Sequence, residues 1–408
     1  MIKLGSFDRE VRPADLEAYI EQAKHLTGVE NWQDKLRGDA ESEWVGFEKL
    51  PSGEMKVAVV QKFLKQAGFF PFGKIDGICG YRTNAAIRLF QEYVRSVEGY
   101  ASMGFPDGKF GSVSTAHLRR WEKSGKKADW TNFSYANSTP ESVLWFDLLN
   151  QIKQTYSASP NAMSKLVSAF TRPTDTVKTT DWDFDPNKIH LVGIRRNESM
   201  GSGPQQFDDI FVLLINGLVF KFRGTTDPGA TESLKGLPFL VMGQHRYRFG
   251  WHLLSKQNRV YHALKPLHHG VLVVRSVDKA LTDDDLKKGL ECNNSINVHW
   301  GGEGLGNVGS WSEGCQVIVG KAYINHQDKL IDCSQFAAPN YATLGQKING
   351  IYQTKGAYTL LVDLVAALSG ANPDDNVVRY TLIYELDLKL TPGLGAEKGA
   401  QTLARFKA

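Results

Sequence analysis

One eight-residue phrase occurs twice in this chain. Residues 76–83 read DGICGYRT and residues 107–114 read DGKFGSVS, so D-G-x-x-G-x-x-[ST] returns 31 residues on. Each copy runs into a helical stretch, AAIRLFQEYV and TAHLRRW. The physical sense is local. Asp-Gly makes a tight turn, the second glycine takes an unusual backbone conformation, and the hydroxyl is expected to cap the helix that follows. Upstream, EMKVAVVQKFLKQAGF (54–69) places Val57, Val60, Leu64 and Ala67 on one helical face. Residues 51–125 therefore read as a small helical domain.

The flanks are simpler. Residues 1–50 are polar, with one amphipathic stretch at 13–26, and read as an N-terminal extension. Residues 126–187 read as a connector of two helices, PESVLWFDLLNQIKQTYSA (140–158) and PNAMSKLVSAF (160–170), with Ser138 or Thr139 as cap before Pro140. From 188 onward the pattern becomes β-rich, with IHLVGIRR, DIFVLLING, LVFKFRGTTD, HGVLVVRSVD, SINVHW, CQVIVG and RYTLIYELDL. Asn216-Gly217 is a hairpin signal. Strands without a regular βαβ rhythm favour a mainly antiparallel domain with added helices over residues 188–408. The fold class expected is α+β multidomain.

The bulk numbers exclude little. The chain has 408 residues, 42% hydrophobic and 23% charged, with a formal charge of +4. No long basic run suggests nucleic acid, and no run of 18 apolar residues suggests a membrane span. The four cysteines, Cys79, Cys292, Cys315 and Cys333, form no C-x-x-C pair. A Cys292–Cys333 disulfide is left open. The first twenty residues hold no apolar signal-peptide core.

Between the strand-like INVHW (296–300) and CQVIVG (315–320) lies GGEGLGNVGSWSEG, where Gly304, Gly306 and Gly309 have G-x-G-x-x-G spacing. A dinucleotide site needs a helix to start there. A β-branched run follows instead, so the loop is not read as a nucleotide cradle. The chemistry lies at its margins. His299 ends one strand and Cys315 opens the next. Where those strands are neighbours, an imidazolium lowers the thiol's pKa and gives a standing thiolate. Gly314 lets the backbone bend, so that amides at 314–315 point at a developing oxyanion.

Two resemblances bear on this pattern. Gln61, Leu64, Gly68 and Phe69, then Asp76, Gly77, Gly80 and Thr83, then Ala86, Ile87 and Phe90, resemble the three-helix peptidoglycan-binding domain of cell-wall hydrolases. Asp107, Gly108, Gly111 and Ser114 imply an enlarged or doubled form. The phrase I-N-V-H-W…S-x-G-C-Q-V, with His299, Ser312, Gly314 and Cys315, resembles the active-site motif of L,D-transpeptidases, the YkuD-type domain. Three departures mark a divergent branch. Glu313 stands where the family has a second His, Gln316 replaces an apolar residue, and the loop is shorter.

The resemblance implies a YkuD-like β-sandwich and a cysteine enzyme acting on peptidoglycan stem peptides through an acyl-enzyme. Cys315 is the nucleophile, His299 the base, and the Trp300 carbonyl orients His299. Partners are stem peptides and glycan, and no cofactor or metal is required. His252 and Tyr247 are expected to line the substrate groove, with Glu313 tuning the acceptor. Arg195, Arg196 and Arg223 are cations able to meet stem carboxylates. The rival readings are a zinc D,D-peptidase, prompted by the H-x6-H pair His245 and His252, and a non-catalytic wall-binding protein. Action in the periplasm or cell wall implies delivery by a secretion system or phage lysis, or a signal outside this sequence.

Overall fold

The computed structural model describes residues 1–27, 31–42, 44–196, 206–229, 235–254, 259–277, 281–304, 306–370, 372–391, 394 and 401–406. Leu305 of the glycine loop lies outside the described residues. The helices are α1 (Pro13–Thr27), α2 (Trp32–Gly38), α3 (Val57–Ala67), α4 (Tyr81–Ser96), α5 (Ser112–Ser124), α6 (Pro140–Ala158), α7 (Ala162–Ala169), α8 (Asp283–Leu286) and α9 (Ala357–Leu368). The strands open with β1 (Ser6–Phe7), β2 (Glu48–Lys49), β3 (Ile189–Arg195), β4 (Asp209–Ile215), β5 (Leu218–Thr225) and β6 (Leu237–Leu240). They continue with β7 (Gly243–Leu254), β8 (Arg259–Pro266), β9 (Val271–Ser276), β10 (Glu291–Asn293) and β11 (Val298–Trp300). The last are β12 (Gln316–Ile324), β13 (Leu330–Asp332), β14 (Lys347–Ile348), β15 (Ile351–Tyr352) and β16 (Val378–Tyr384).

The chain is α+β with mostly antiparallel pairing, as the pattern predicts. Its main sheet runs β11-β8-β7-β16-β3-β4-β5-β12-β13, and β11 also pairs with β12. That last pairing closes eight strands into a barrel, where the resemblance implied a sandwich. Within the main sheet two pairings are parallel, β16 with β3 and β11 with β12, as is the small β1–β2 pair outside it. A hydrophobic pattern cannot reveal such closure, because it depends on which distant strands meet.

The strands are apolar on both faces. Leu191, Phe211, Leu213, Phe220 and Phe222 belong to one core, which extends through α9 and α4 to Ile2. Val192, Ile194, Ile210, Val212 and Leu214 pack against Trp145, Leu148, Leu149 and Ile152 of α6 in a second. Helix α6 starts as expected. Thr139 accepts the Ser142 N–H, and Pro140 occupies the first turn, where its missing donor costs nothing.

The duplicated phrase forms two matched loops. Gly77 and Gly108 take positive φ of 73° and 72°, conformations open to glycine at little cost. In the first loop Gln61 Nε2 donates to Asp76 Oδ1 (2.8 Å), Ile78 O (3.1 Å) and Thr83 Oγ1 (3.0 Å), while its Oε1 accepts Gly77 N (3.0 Å). In the second, Gln91 Nε2 donates to Asp107 Oδ1 (2.8 Å), Lys109 O (3.0 Å) and Ser114 Oγ (3.4 Å), and Gly108 N donates to Gln91 Oε1 (2.9 Å). Two expectations are corrected here. Thr83 and Ser114 do not cap their helices; the N-cap positions are Gly80 and Gly111, without side-chain caps. Those second glycines also keep negative φ. At Gly80 the absent Cβ makes room for the Tyr19 hydroxyl, which would lie 1.7 Å from it.

The helical region and the barrel share one core. Arg88 of α4 makes a two-pronged ion pair with Asp363 of α9, Nε to Oδ2 at 2.8 Å and Nη2 to Oδ1 at 2.6 Å. Glu92 accepts from Tyr323 of β12 (2.5 Å). The Asp363 side chain is 3% exposed. Removing one member of such a pair strands the other charge, at about 3 kcal/mol or more. We expect Asp363→Ala to lower the urea midpoint accordingly, and Arg88→Met with Asp363→Leu to recover most of the loss. Equal midpoints for wild type and Asp363→Ala would show that the two regions are not coupled through this pair.

Candidate active site

Strand β11 runs parallel to β12, with Val298 opposite Gln316, His299 opposite Val317 and Trp300 opposite Ile318. Cys315 sits one residue before β12, and Gln316 N donates to Asn297 O at 2.8 Å. The thiol and the imidazole thus stand on adjoining strands, two positions apart in register. The three-residue 3₁₀ turn Gly309–Trp311 is the only regular segment between them among the described residues. Among the described residues no α-helix begins in the glycine motif, which removes the nucleotide reading.

His299 is 2% exposed. Its Nδ1 lies 2.8 Å from Trp300 O and 3.2 Å from Tyr261 Oη. A carbonyl can only accept, so Nδ1 carries the proton and Nε2 of the neutral ring keeps its lone pair. The Tyr261 hydroxyl is held in turn by Tyr341 Oη (3.1 Å). His252 stacks on His299 with ring centroids 4.7 Å apart and planes 15° from parallel. Its Nδ1 lies 3.3 Å from Asn297 Nδ2.

The partly exposed Cys315 thiol accepts from Asn297 N and faces Ser295 O, both at 3.4 Å. Burial raises its pKa to about 11; the Asn297 N–H lowers it, the Glu313 charge raises it, and the Lys265 charge lowers it. Burial depresses His299 to about 4, against a raising effect of its bond to the Trp300 carbonyl. His252 falls to about 3 through burial and the neighbouring His299 and Lys265. The resting pair is therefore neutral thiol and neutral imidazole. This corrects the expected standing thiolate: desolvation raises the thiol and lowers the imidazole, and neither group's charge offsets the other's shift.

The loop around the thiol is tightly specified. Ser312 Oγ donates to Cys315 O (2.7 Å) and accepts from Gly314 N (3.1 Å). Gly314 has φ of 135°, and a Cβ there would stand 2.6 Å from Pro238 O. The Gly314 amide is thus engaged, which corrects its expected role as an oxyanion donor. Cys315 N–H has no acceptor among the described residues and is the amide left for that task.

Other expected residues are placed differently. Tyr247 is fully buried and donates to Ile296 O (3.0 Å), so it supports the approach to β11 and lines no groove. The Trp300 side chain is also fully buried, and only its carbonyl serves the site. Glu313 is exposed beside the thiol. Arg195 is buried against Asp227 and Thr226, Arg196 pairs with Glu385 at 3.0 Å, and Arg223 donates to Phe207 O. None of the three is a solvated cation awaiting a carboxylate. Asp76, Gly77, Asp107 and Gly108 are spent on their own turns, and all four cysteines are free thiols.

Among the described residues no group of three or more His, Cys, Asp or Glu side chains converges as a metal site, so the zinc reading lacks a ligand set there. His245 is instead buried between Val241 O and Thr176 Oγ1, each 3.0 Å away. No described helix is long and apolar enough to cross a membrane. A cavity of about 210 Å³ lies elsewhere, walled by Tyr81, Arg88, Gly108, His262 and Lys355. It contains neither Cys315 nor His299. His262 and Tyr261 are consecutive in β8 and so face opposite sides of it, and His299 is on the Tyr261 side.

The sequence reading missed Tyr261, Asn297 and Lys265. Their role comes from cross-strand register, which no local motif carries. Compared with family models, characterised proteins and solved structures, the chain finds no match.

A thiol held protonated to about pH 11 reacts with alkylators through a small thiolate fraction at neutral pH. Iodoacetamide labelling of Cys315, followed by peptide mass spectrometry, should climb about tenfold per pH unit from 7 through 10. A plateau below pH 8 would instead reveal a preformed ion pair.

Proposed function

We propose that this chain is a peptidoglycan-modifying cysteine enzyme of the L,D-transpeptidase type. Residues 188–408 would be a divergent YkuD-like catalytic domain and residues 51–125 a wall-binding domain. The carrying observation is the parallel seam that sets His299, with Nδ1 committed to Trp300 O, beside the strand that begins one residue after Cys315. The motif resemblances at 61–90 and 296–318 supply the substrate. The geometry supports the roles of nucleophile and base in that reading.

The neutral pair fits a concerted activation. His299 Nε2 takes the thiol proton as Sγ attacks the carbonyl between the L-centre and the following D-residue of a stem peptide. The Cys315 N–H receives the oxyanion. Collapse breaks the C–N bond, and the departing D-amino acid takes the proton from His299. The thioester is then resolved by a second stem's amine, by water or by a free D-amino acid. These outcomes are transpeptidation, carboxypeptidation and exchange.

A second reading has one observation in its favour. A thiol at about 11 and an imidazole at about 4 are far from an activated pair, which suits a non-catalytic wall-binding protein. Purified sacculi treated with wild type and with Cys315→Ala separate the two. Muropeptide mass spectrometry should show new 3–3 crosslinks, tripeptides or exchanged D-residues with wild type, reduced at least a hundredfold in Cys315→Ala. Identical muropeptide profiles for the two proteins would leave the binding role alone.

A further inference from the structure

Cross-strand register brings more than the thiol and the imidazole to this place. Val298 lies opposite Gln316 in the parallel pair and opposite Leu264 in the antiparallel pair with β8. One residue back along the chain, Asn297 is therefore level with Cys315 on one side and Lys265 on the other. Lys265 in turn lies opposite Arg248 of β7. Four neighbouring strand positions, Arg248, Lys265, Asn297 and Cys315, form one row. With strands about 4.8 Å apart, Lys265 starts about 10 Å from the Cys315 backbone, two strand spacings across the sheet.

Lys265 is aimed along this face. A Cβ on Gly250 would stand 3.0 Å from Lys265 Cδ, so the stem lies across that glycine. Gly250 and His252 are two apart on β7 and share a face. The ammonium charge is felt at both His252 and Cys315.

Several buried or half-buried cations of this chain are closed by carboxylates. Lys221 is closed by Glu141 and Asp328, Arg88 by Asp363, Lys355 by Glu41, and Arg379 by Asp183. Lys265 and Arg248 are half-buried, yet neither has a carboxylate partner among the described residues. Next along β7, Arg246 is exposed and likewise unpaired among them. A half-desolvated pair of cations without counter-ions, beside a nucleophile, is suited to an anion brought by the substrate.

We propose that Lys265 and Arg248 form a carboxylate-binding subsite beside Cys315, so that the acyl donor carries a free carboxylate close to the scissile carbonyl. The claim about the donor rests on the reading of Cys315 as nucleophile; the subsite itself does not. Arginine supplies a fork for two-pronged contact, and lysine a point charge nearer the thiol. Glu313, exposed on the loop side, sets the opposite sign there and disfavours the reversed orientation.

Two arms of one experiment separate these claims. Full-length protein is labelled with iodoacetate or iodoacetamide, and each rate at Cys315 is read by peptide mass spectrometry. In both reactions Sγ–C forms and iodide leaves, so the ratio of rates cancels thiolate fraction and reports the charge preference alone. Wild type should exceed the double variant Lys265→Gln/Arg248→Gln in acetate-to-acetamide ratio by about tenfold. The excess should shrink in high salt. Lys265→Arg with Arg248→Lys should keep the ratio. Equal ratios in wild type and the Gln variant overturn the subsite.

The second arm offers stem peptides ending in a carboxylate or its amide. The acid donor should acylate Cys315 about tenfold faster in wild type, and the two rates should converge in the Gln variant. Equal rates in wild type overturn the donor claim. No thioester from either peptide overturns the enzyme reading, while the alkylation ratio still decides the subsite.

Discussion

The pairing of β11 with β12 is the contact on which the rest depends. Parallel neighbours cannot be joined by a tight hairpin; the chain must cross over through a long connection. Here that connection is the glycine-rich loop, and the crossover explains its length. The same pairing closes the barrel, which leaves β11 without a free edge. It also sets the distance between imidazole and thiol. Ser312, Gly314 against Pro238, and the Asn297 bonds to Cys315 and Gln316 all hold the chain to this one register.

Burial and chemistry pull in opposite directions at the site. The barrel and α9 remove water from His299, Tyr261 and Trp300, which fixes their geometry. That exclusion is what keeps the thiol protonated and the imidazole neutral. In the proposed cysteine-enzyme reading, activation falls to the moment of attack, when charge developing on Sγ meets a base whose orientation is already set by Trp300 O. The hydrogen bond that fixes the tautomer matters more here than a preformed ion pair.

Legibility in the sequence followed the range of the interactions. Helix α3, the Thr139–Pro140 start of α6 and the strands flanking 301–315 were readable because caps, turns and periodicity are local. His299 and Cys315 were readable because short motifs bracket them. Barrel closure, Tyr261, and the Arg248–Lys265–Asn297 row were not, since each needs the register of strands far apart in the chain. An aromatic near a histidine looks exposed in one dimension, yet its strand turns Tyr247 inward. Gln91, which clamps the second loop as Gln61 clamps the first, lies sixteen residues before Asp107 and outside the repeated phrase, so the phrase alone does not point to it.

The seam has a further consequence in time. Its two strands carry only three register pairs and belong to distant stretches of the barrel, so chain-entropy considerations favour late closure. Until they meet, Cys315 is an ordinary thiol and His299 an ordinary imidazole. Assembly of the fold and pairing of thiol with imidazole are then one event, and under the proposed reading a chain caught partway is inert by construction.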